Sequence, residues 1–148
     1  METMMRNFIK SMSKEDKQKM MQDLINDAVA NIRNYSRIGK PECSVQPTSK
    51  LLIEMLRIFQ KNGYIGEFEV AEDRRGGQVK IQLVKRINDC GIIKPRFPAK
   101  YSELDRWEKR YLPSRDFGII IMSTPKGVMT HKEAKELKTG GRLIAYIY

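Results

Sequence analysis

The sequence predicts an α+β fold in two small lobes: an N-terminal helix–strand–helix–hairpin, then a mainly β lobe with a short helix. Three observations predict it. Apolar residues recur at helical spacing over 21–32 and again over 51–59. Apolar and polar residues alternate over 67–70 and 79–83, the two-residue period of half-buried strands. A final block holds an apolar strand, a capped helix and a second apolar strand within 117–148. The 148 residues suffice for a core without disulfide or metal staples.

The elements follow in order. Six of the nine methionines fall within residues 1–21, in a polar extension assigned to 1–20. Ser13 followed by Asp16 makes a capping box, and Met21, Leu24/Ile25, Ala28/Val29 and Ile32 form the stripe of a helix running to about Asn34. A strand over Cys43–Gln46 follows. Pro47-Thr48-Ser49 opens a second helix with Leu51, Leu52, Met55, Leu56 and Phe59 on its apolar side, closed by Asn62-Gly63. Phe68 and Val70 form one arm of a hairpin and Val79, Ile81 and Leu83 the other, with Arg74-Arg75-Gly76-Gly77 as the turn. Val84 interrupts the polar side, so this strand is expected to be buried on both faces near its end.

Residues 21–87 make the N-terminal lobe, and 88–148 the C-terminal lobe, which begins with a basic joint at 88–116. In the joint, Ser102 to Asp105 is a capping box for a short helix with Leu104 and Trp107. Strand Phe117–Met122 then leads through a loop, Ser123-Thr124-Pro125-Lys126-Gly127, into a helix capped by Thr130 and Glu133 and stopped by Gly140-Gly141. In the last strand, Leu143/Ala145/Ile147 share one face and Ile144/Tyr146/Tyr148 the other.

Charge narrows the function. The net +10 and pI near 9.7 favour a polyanionic partner. The excess is not uniform: residues 1–73 carry 11 basic and 11 acidic side chains, and residues 74–148 carry 17 and 7. The cations of the joint, among them Lys94, Arg96, Arg106, Lys109 and Arg110, are interleaved with Phe97, Tyr101, Trp107 and Tyr111, a mixture suited to RNA. The longest aliphatic run, Ile119–Met122, is far shorter than the ~20 residues of a membrane span, so a soluble cytoplasmic protein without membrane contact is expected. Cys43 and Cys90 match no metal spacing, and read as free thiols in a reducing compartment or one disulfide in an oxidising one.

No catalytic constellation emerges, and no metal, cofactor or small-molecule substrate is predicted. Ser123-Thr124-Pro125-Lys126 and Lys138-Thr139-Gly140 match the S-x-x-K and K-T-G elements of penicillin-binding enzymes. Pro125 and Gly127 argue against the helix the first requires, and the S-D-N element is missing. His131 falls in the first turn of a helix, where an exposed polar role is expected. Glu72 and Asp73 precede a turn beside Arg74 and Arg75 and read as solvated. The helix before the hairpin also suggests a winged-helix layout for duplex DNA. Its outward residues Lys50, Glu54, Arg57, Gln60 and Lys61 form no base-reading cluster, which places RNA ahead of DNA.

The segment Ser123–Thr130, Glu133-Ala134, Gly140-Gly141, and further back Ile32-Arg33-Asn34, Pro47–Leu51 and Asn62-Gly63-Tyr64-Ile65 together resemble ribosomal protein eight of the small subunit. Cys90–Ile93, Pro95-Arg96-Phe97 and Leu112–Arg115 are similar to its archaeal and eukaryotic branch. The resemblance covers about Asp23 to Tyr148. It implies a structural, non-enzymatic protein that binds central-domain ribosomal RNA directly, supports assembly and has other small-subunit proteins as neighbours. It also implies that Ser123 and Thr124 bond bases or sugars, that Lys126 and Gly127 face the backbone, and that Thr139, Gly140 and Gly141 lie close to the same RNA. Arg33, Asn34 and Lys50 would contact RNA from the other lobe, while Lys94 and Arg96 are expected to neutralise phosphate. Three features depart from the family: Pro125 stands where a hydroxyl residue is common, Arg142 where bacterial members have an acid, and the extension before Met21 has no bacterial counterpart.

Overall fold

Helices pack against two antiparallel sheets, as the α+β expectation requires. The computed structural model describes residues 11, 13–46, 49–71, 77–94, 96–114 and 117–148. Most of the extension 1–20, the turn residues Arg74-Arg75-Gly76, the Glu72-Asp73 pair, Pro95 and Arg115 lie outside the described residues.

Helix α1 (Lys14–Arg37) starts where Ser13 caps it, the hydroxyl accepting Asp16 N–H at 3.1 Å and donating to the Asp16 carboxylate at 2.8 Å. It continues one turn beyond Asn34 to Arg37. Helix α2 (Lys50–Lys61) is capped by Ser49, whose hydroxyl accepts Leu52 N–H at 3.2 Å. Strands β1 (Glu42–Val45), β2 (Ile65–Ala71) and β3 (Gln78–Leu83) form the first sheet in the order β1-β3-β2. Val79, Ile81 and Leu83 point inward as their spacing requires. Val84 is 45% exposed, contrary to the expected two-sided burial, because β3 has ended at Leu83.

The second sheet contains β4 (Cys90–Ile92), β8 (Gly141–Ile147), β6 (Ile119–Thr124) and β7 (Gly127–Thr130) in that order, with β5 (Pro98–Ala99) beside β8. Its two faces have different cores. Ile119, Ile121, Ile144, Ala145 and Ile147 share one core with α1, α2 and the first sheet. Ile120, Met122, Met129 and Leu143 face a second core, closed by Leu104, Trp107 and Leu112 on or beside α3 (Leu104–Tyr111) and by Ala134 of α4 (His131–Glu136). Leu52, Met55, Leu56 and Phe59 of α2 are fully buried in the first core, each contributing roughly 1.5–3 kcal/mol.

Three local details differ from expectation. Before α3, the 3-10 turn Tyr101–Glu103 is fixed by Lys100 N–H donating to the Glu103 carboxylate at 3.2 Å, not by a Ser102–Asp105 box. Helix α4 ends at Glu136 with Leu137 as its cap, and Lys138 takes the left-handed conformation (φ 51°) that turns the chain out two residues before the glycines. In β8 the register against β6 jumps between Ile121↔Ala145 and Met122↔Leu143, a bulge at Ile144. The bulge reverses the phase of the strand: Leu143 joins Tyr146 and Tyr148 on one side, and Ile144 joins Ala145 and Ile147 on the other.

Candidate nucleic-acid interface

Strand β6 does not run through a loop into a helix. Thr124 pairs with Gly127 and Ser123 with Val128, so the segment is a tight β-hairpin whose tip is Pro125-Lys126. Proline presets the backbone for the first corner of such a turn, and Gly127 closes it at φ 124°, a value that side chains with a Cβ rarely adopt. The two neighbouring hydroxyls have different roles. Thr124 is buried; its Oγ1 donates to Gly127 C=O at 2.8 Å and accepts Lys126 N–H at 3.2 Å, so it locks the turn. Ser123 is exposed, and its hydroxyl has no partner among the described residues. Lys126 is exposed at the tip.

The opening of β8 lies directly against this hairpin. A Cβ placed on Gly141 would sit 2.1 Å from the Ser123 carbonyl oxygen, so only glycine permits the strands to approach so closely. Gly140 backs onto Ala99, and Thr139 donates its N–H to Ala134 C=O at 3.0 Å. An open groove of about 540 Å³ runs alongside, lined by Pro98, Lys100, Tyr101, Gly140 and Gly141 among others.

Arg142 pairs with Ser123 on one side and with Pro98 on the other. Its charge reaches Arg96: burial first, and then the Arg142 guanidinium, lower the Arg96 pKa from its ordinary value. Neither arginine has an ion pair among the described residues. Arg142 was not expected at the site. Only its register opposite Ser123 reveals it, and two-residue alternation alone cannot supply that across a bulged strand.

A buried network supports the hairpin from behind. His131 is fully buried, contrary to its expected exposure, because α4 folds back onto the sheet immediately after β7. Its Nδ1 accepts Ile120 N–H at 3.1 Å, which joins α4 to β6, and its Nε2 lies 3.6 Å from the Glu108 carboxylate. Burial pushes its pKa down to about 4, with Lys135 and Lys132 adding to the shift and Glu108 opposing it. Lys135 reaches both Glu108, at 3.0 Å, and Asp105, tying α4 to α3.

The structure thus brings Ser123, Thr124, Lys126, Gly127, Thr139, Gly140, Gly141 and Arg96 into one region. Arg33 is elsewhere. Its Nε lies 2.8 Å from Asp89, which is hydrogen-bonded to Tyr148 at the far end of β8, roughly 20 Å from Arg142 by strand rise. Asn34 adjoins it on α1, exposed. Lys50 opens α2, which packs against both β2 and β7, and Lys94 is exposed between β4 and β5. Cys43 and Cys90 are buried free thiols, with burial first raising their pKa to about 11 and about 12. Among the described residues, no helix is long and apolar enough to cross a membrane. The family model of ribosomal protein S8 matches residues 23–148, nearly all of the chain and every element from the body of α1 to β8, and the chain belongs to that family.

Proposed function

We propose that this chain, a structural ribosomal protein that binds the RNA of the small subunit, recognises central-domain RNA directly through the β6–β7 hairpin and supports subunit assembly. The observation that carries the reading is the exposed Ser123 hydroxyl beside two arginines that have no carboxylate partner among the described residues. Ser123 bonds a base edge or sugar hydroxyl, while Lys126, Arg96 and Lys94 attract phosphate without reading sequence. Thr124 acts one step back, by fixing the turn that presents its neighbour. Gly127 keeps the tip open, and Thr139, Gly140 and Gly141 bring β8 and its groove up to the same RNA. Arg33, Asn34 and Lys50 would supply a second docking region, and other proteins of the small subunit would be its neighbours.

The test is a comparison of Ser123→Ala on two RNAs. Loss of one hydrogen bond, about 1–1.4 kcal/mol, weakens binding to a central-domain fragment about fivefold to tenfold. Binding to random RNA of equal length stays unchanged. An equal loss on both RNAs rejects the hairpin as the reader.

A further inference from the structure

We propose that the outer face of α3 is a second RNA contact, in which one unstacked base lies on the Arg110 guanidinium and its flanking phosphates meet Arg106 and Lys109. The proposal rests on RNA being the partner, and concerns a surface distinct from the hairpin.

The helix sequence Leu104–Tyr111 divides cleanly. Leu104, Trp107 and Glu108 face inward and are buried, whereas Arg106, Lys109 and Arg110 are exposed. These three cations are spaced i, i+3, i+4 and so share one side of the helix. The acids of the same helix do not neutralise them. Asp105 and Glu108 both engage Lys135 of α4, and none of the three cations has an ion pair among the described residues.

Beside this face lies a row of rings. Phe97 and Trp107 stack at 5.0 Å, Trp107 and Tyr111 at 6.2 Å, Tyr111 and Tyr146 at 5.6 Å, and Tyr146 and Tyr148 at 6.2 Å. Arg110 covers the near end of the row, its Cζ 5.5, 5.4 and 5.6 Å from the centroids of Phe97, Trp107 and Tyr111. Attraction to the rings restrains the long side chain and removes much of the rotamer entropy that binding would otherwise cost. The Trp107 N–H finds no acceptor among the described residues, so that side chain contributes its ring and not its donor.

A planar cation with rings beneath and solvent outside is a stacking surface for a base, and RNA offers unstacked bases. Arg106, one helical turn away, and the adjacent Lys109 suit the phosphates on either side. An apolar or basic protein surface would leave all three charges uncompensated.

The full-length protein is titrated with a short single-stranded oligoadenylate, using its single tryptophan, Trp107, as the fluorescent reporter. Binding changes the Trp107 emission. Arg110→Ala weakens binding about fivefold or more. Arg110→Lys keeps the charge but not the plane; it retains the salt dependence yet still loses affinity severalfold. The reporter ring lies 5.4 Å from the Arg110 guanidinium carbon, so its emission reads this surface and separates it from the hairpin. Unaltered affinity in Arg110→Ala overturns the proposal and leaves a protein as the occupant of this face. Full affinity in Arg110→Lys also overturns it, by reducing Arg110 to a point charge. Loss of oligoadenylate binding in Ser123→Ala instead would assign it to the hairpin. If Ser123→Ala has no effect on ribosomal RNA while Arg110→Ala still weakens oligoadenylate binding, the hairpin reading alone fails.

Discussion

Arg33 and Arg96 are both cations expected at RNA, yet the two halves of the molecule treat them differently. Arg33, in the electrically neutral half, lies 2.8 Å from Asp89 of the basic half, and Arg37 approaches the same carboxylate at 3.5 Å. The pair joins α1 to the start of β4. In the basic half, the charged neighbour of Arg96 is another cation, Arg142. Among the described residues neither Arg96 nor Arg142 has an ion pair, and their mutual repulsion is what a bound polyanion would relieve. The partner in space, and not the net charge of a stretch of chain, therefore distinguishes a cation used for architecture from one that remains available to a ligand.

The comparison breaks most completely when the basic half loses its frame. Gly141→Ala drives a Cβ against the Ser123 carbonyl, and is expected to destabilise the fold by about 3 kcal/mol or more in urea denaturation, with specific RNA binding lost alongside. Cations on a displaced hairpin would then bind any RNA alike.

Acid tests the same frame from behind. His131 has a folded pKa of about 4 against 6.5 for an ordinary histidine, so between these values the unfolded chain binds more protons. Stability is full above pH 6.5 and falls as the pH drops toward 4, by up to about 3 kcal/mol. Replacing His131 with Gln should flatten that part of the stability–pH curve; an unchanged slope would assign it to other groups.

The smallest effects sharpen the contrast most. Asp89→Asn should lower stability by about 1 kcal/mol and leave the salt dependence of RNA binding unchanged. Arg96→Gln should do the reverse: stability stays within about 0.5 kcal/mol, while the slope of log affinity against log salt decreases by about one. Equal slopes in the two variants would erase the distinction between the halves.

Much of this architecture was legible in local chemistry. Ser13, Ser49 and Thr130 start their helices because a side-chain oxygen can accept an orphan N–H wherever the chain turns into a helix. The α2 stripe and the β3 alternation are set by periods of 3.6 and 2 residues. What escaped was decided by tertiary geometry. Strand β7 spans only Gly127–Thr130 and runs directly into a capped helix, so its sequence resembles a loop. The β8 bulge inverts faces without any change in composition, and the burial of His131 depends on a backbone N–H eleven residues earlier. The Ser123 region was legible as a dense polar signal, but the division of labour between Ser123 and Thr124 required the turn itself.

Strand β8 also has a consequence in time. It pairs with β4, β5 and β6, all of which precede it in the chain. As the polypeptide emerges at about 5–20 residues per second, α1, α2 and the first sheet can assemble early. The second sheet must wait, its earlier strands lacking their shared neighbour until residues 141–147 arrive. The β6–β7 pairing is local, but the sheet that backs the Ser123 hairpin is therefore completed only once residues 141–147 have emerged.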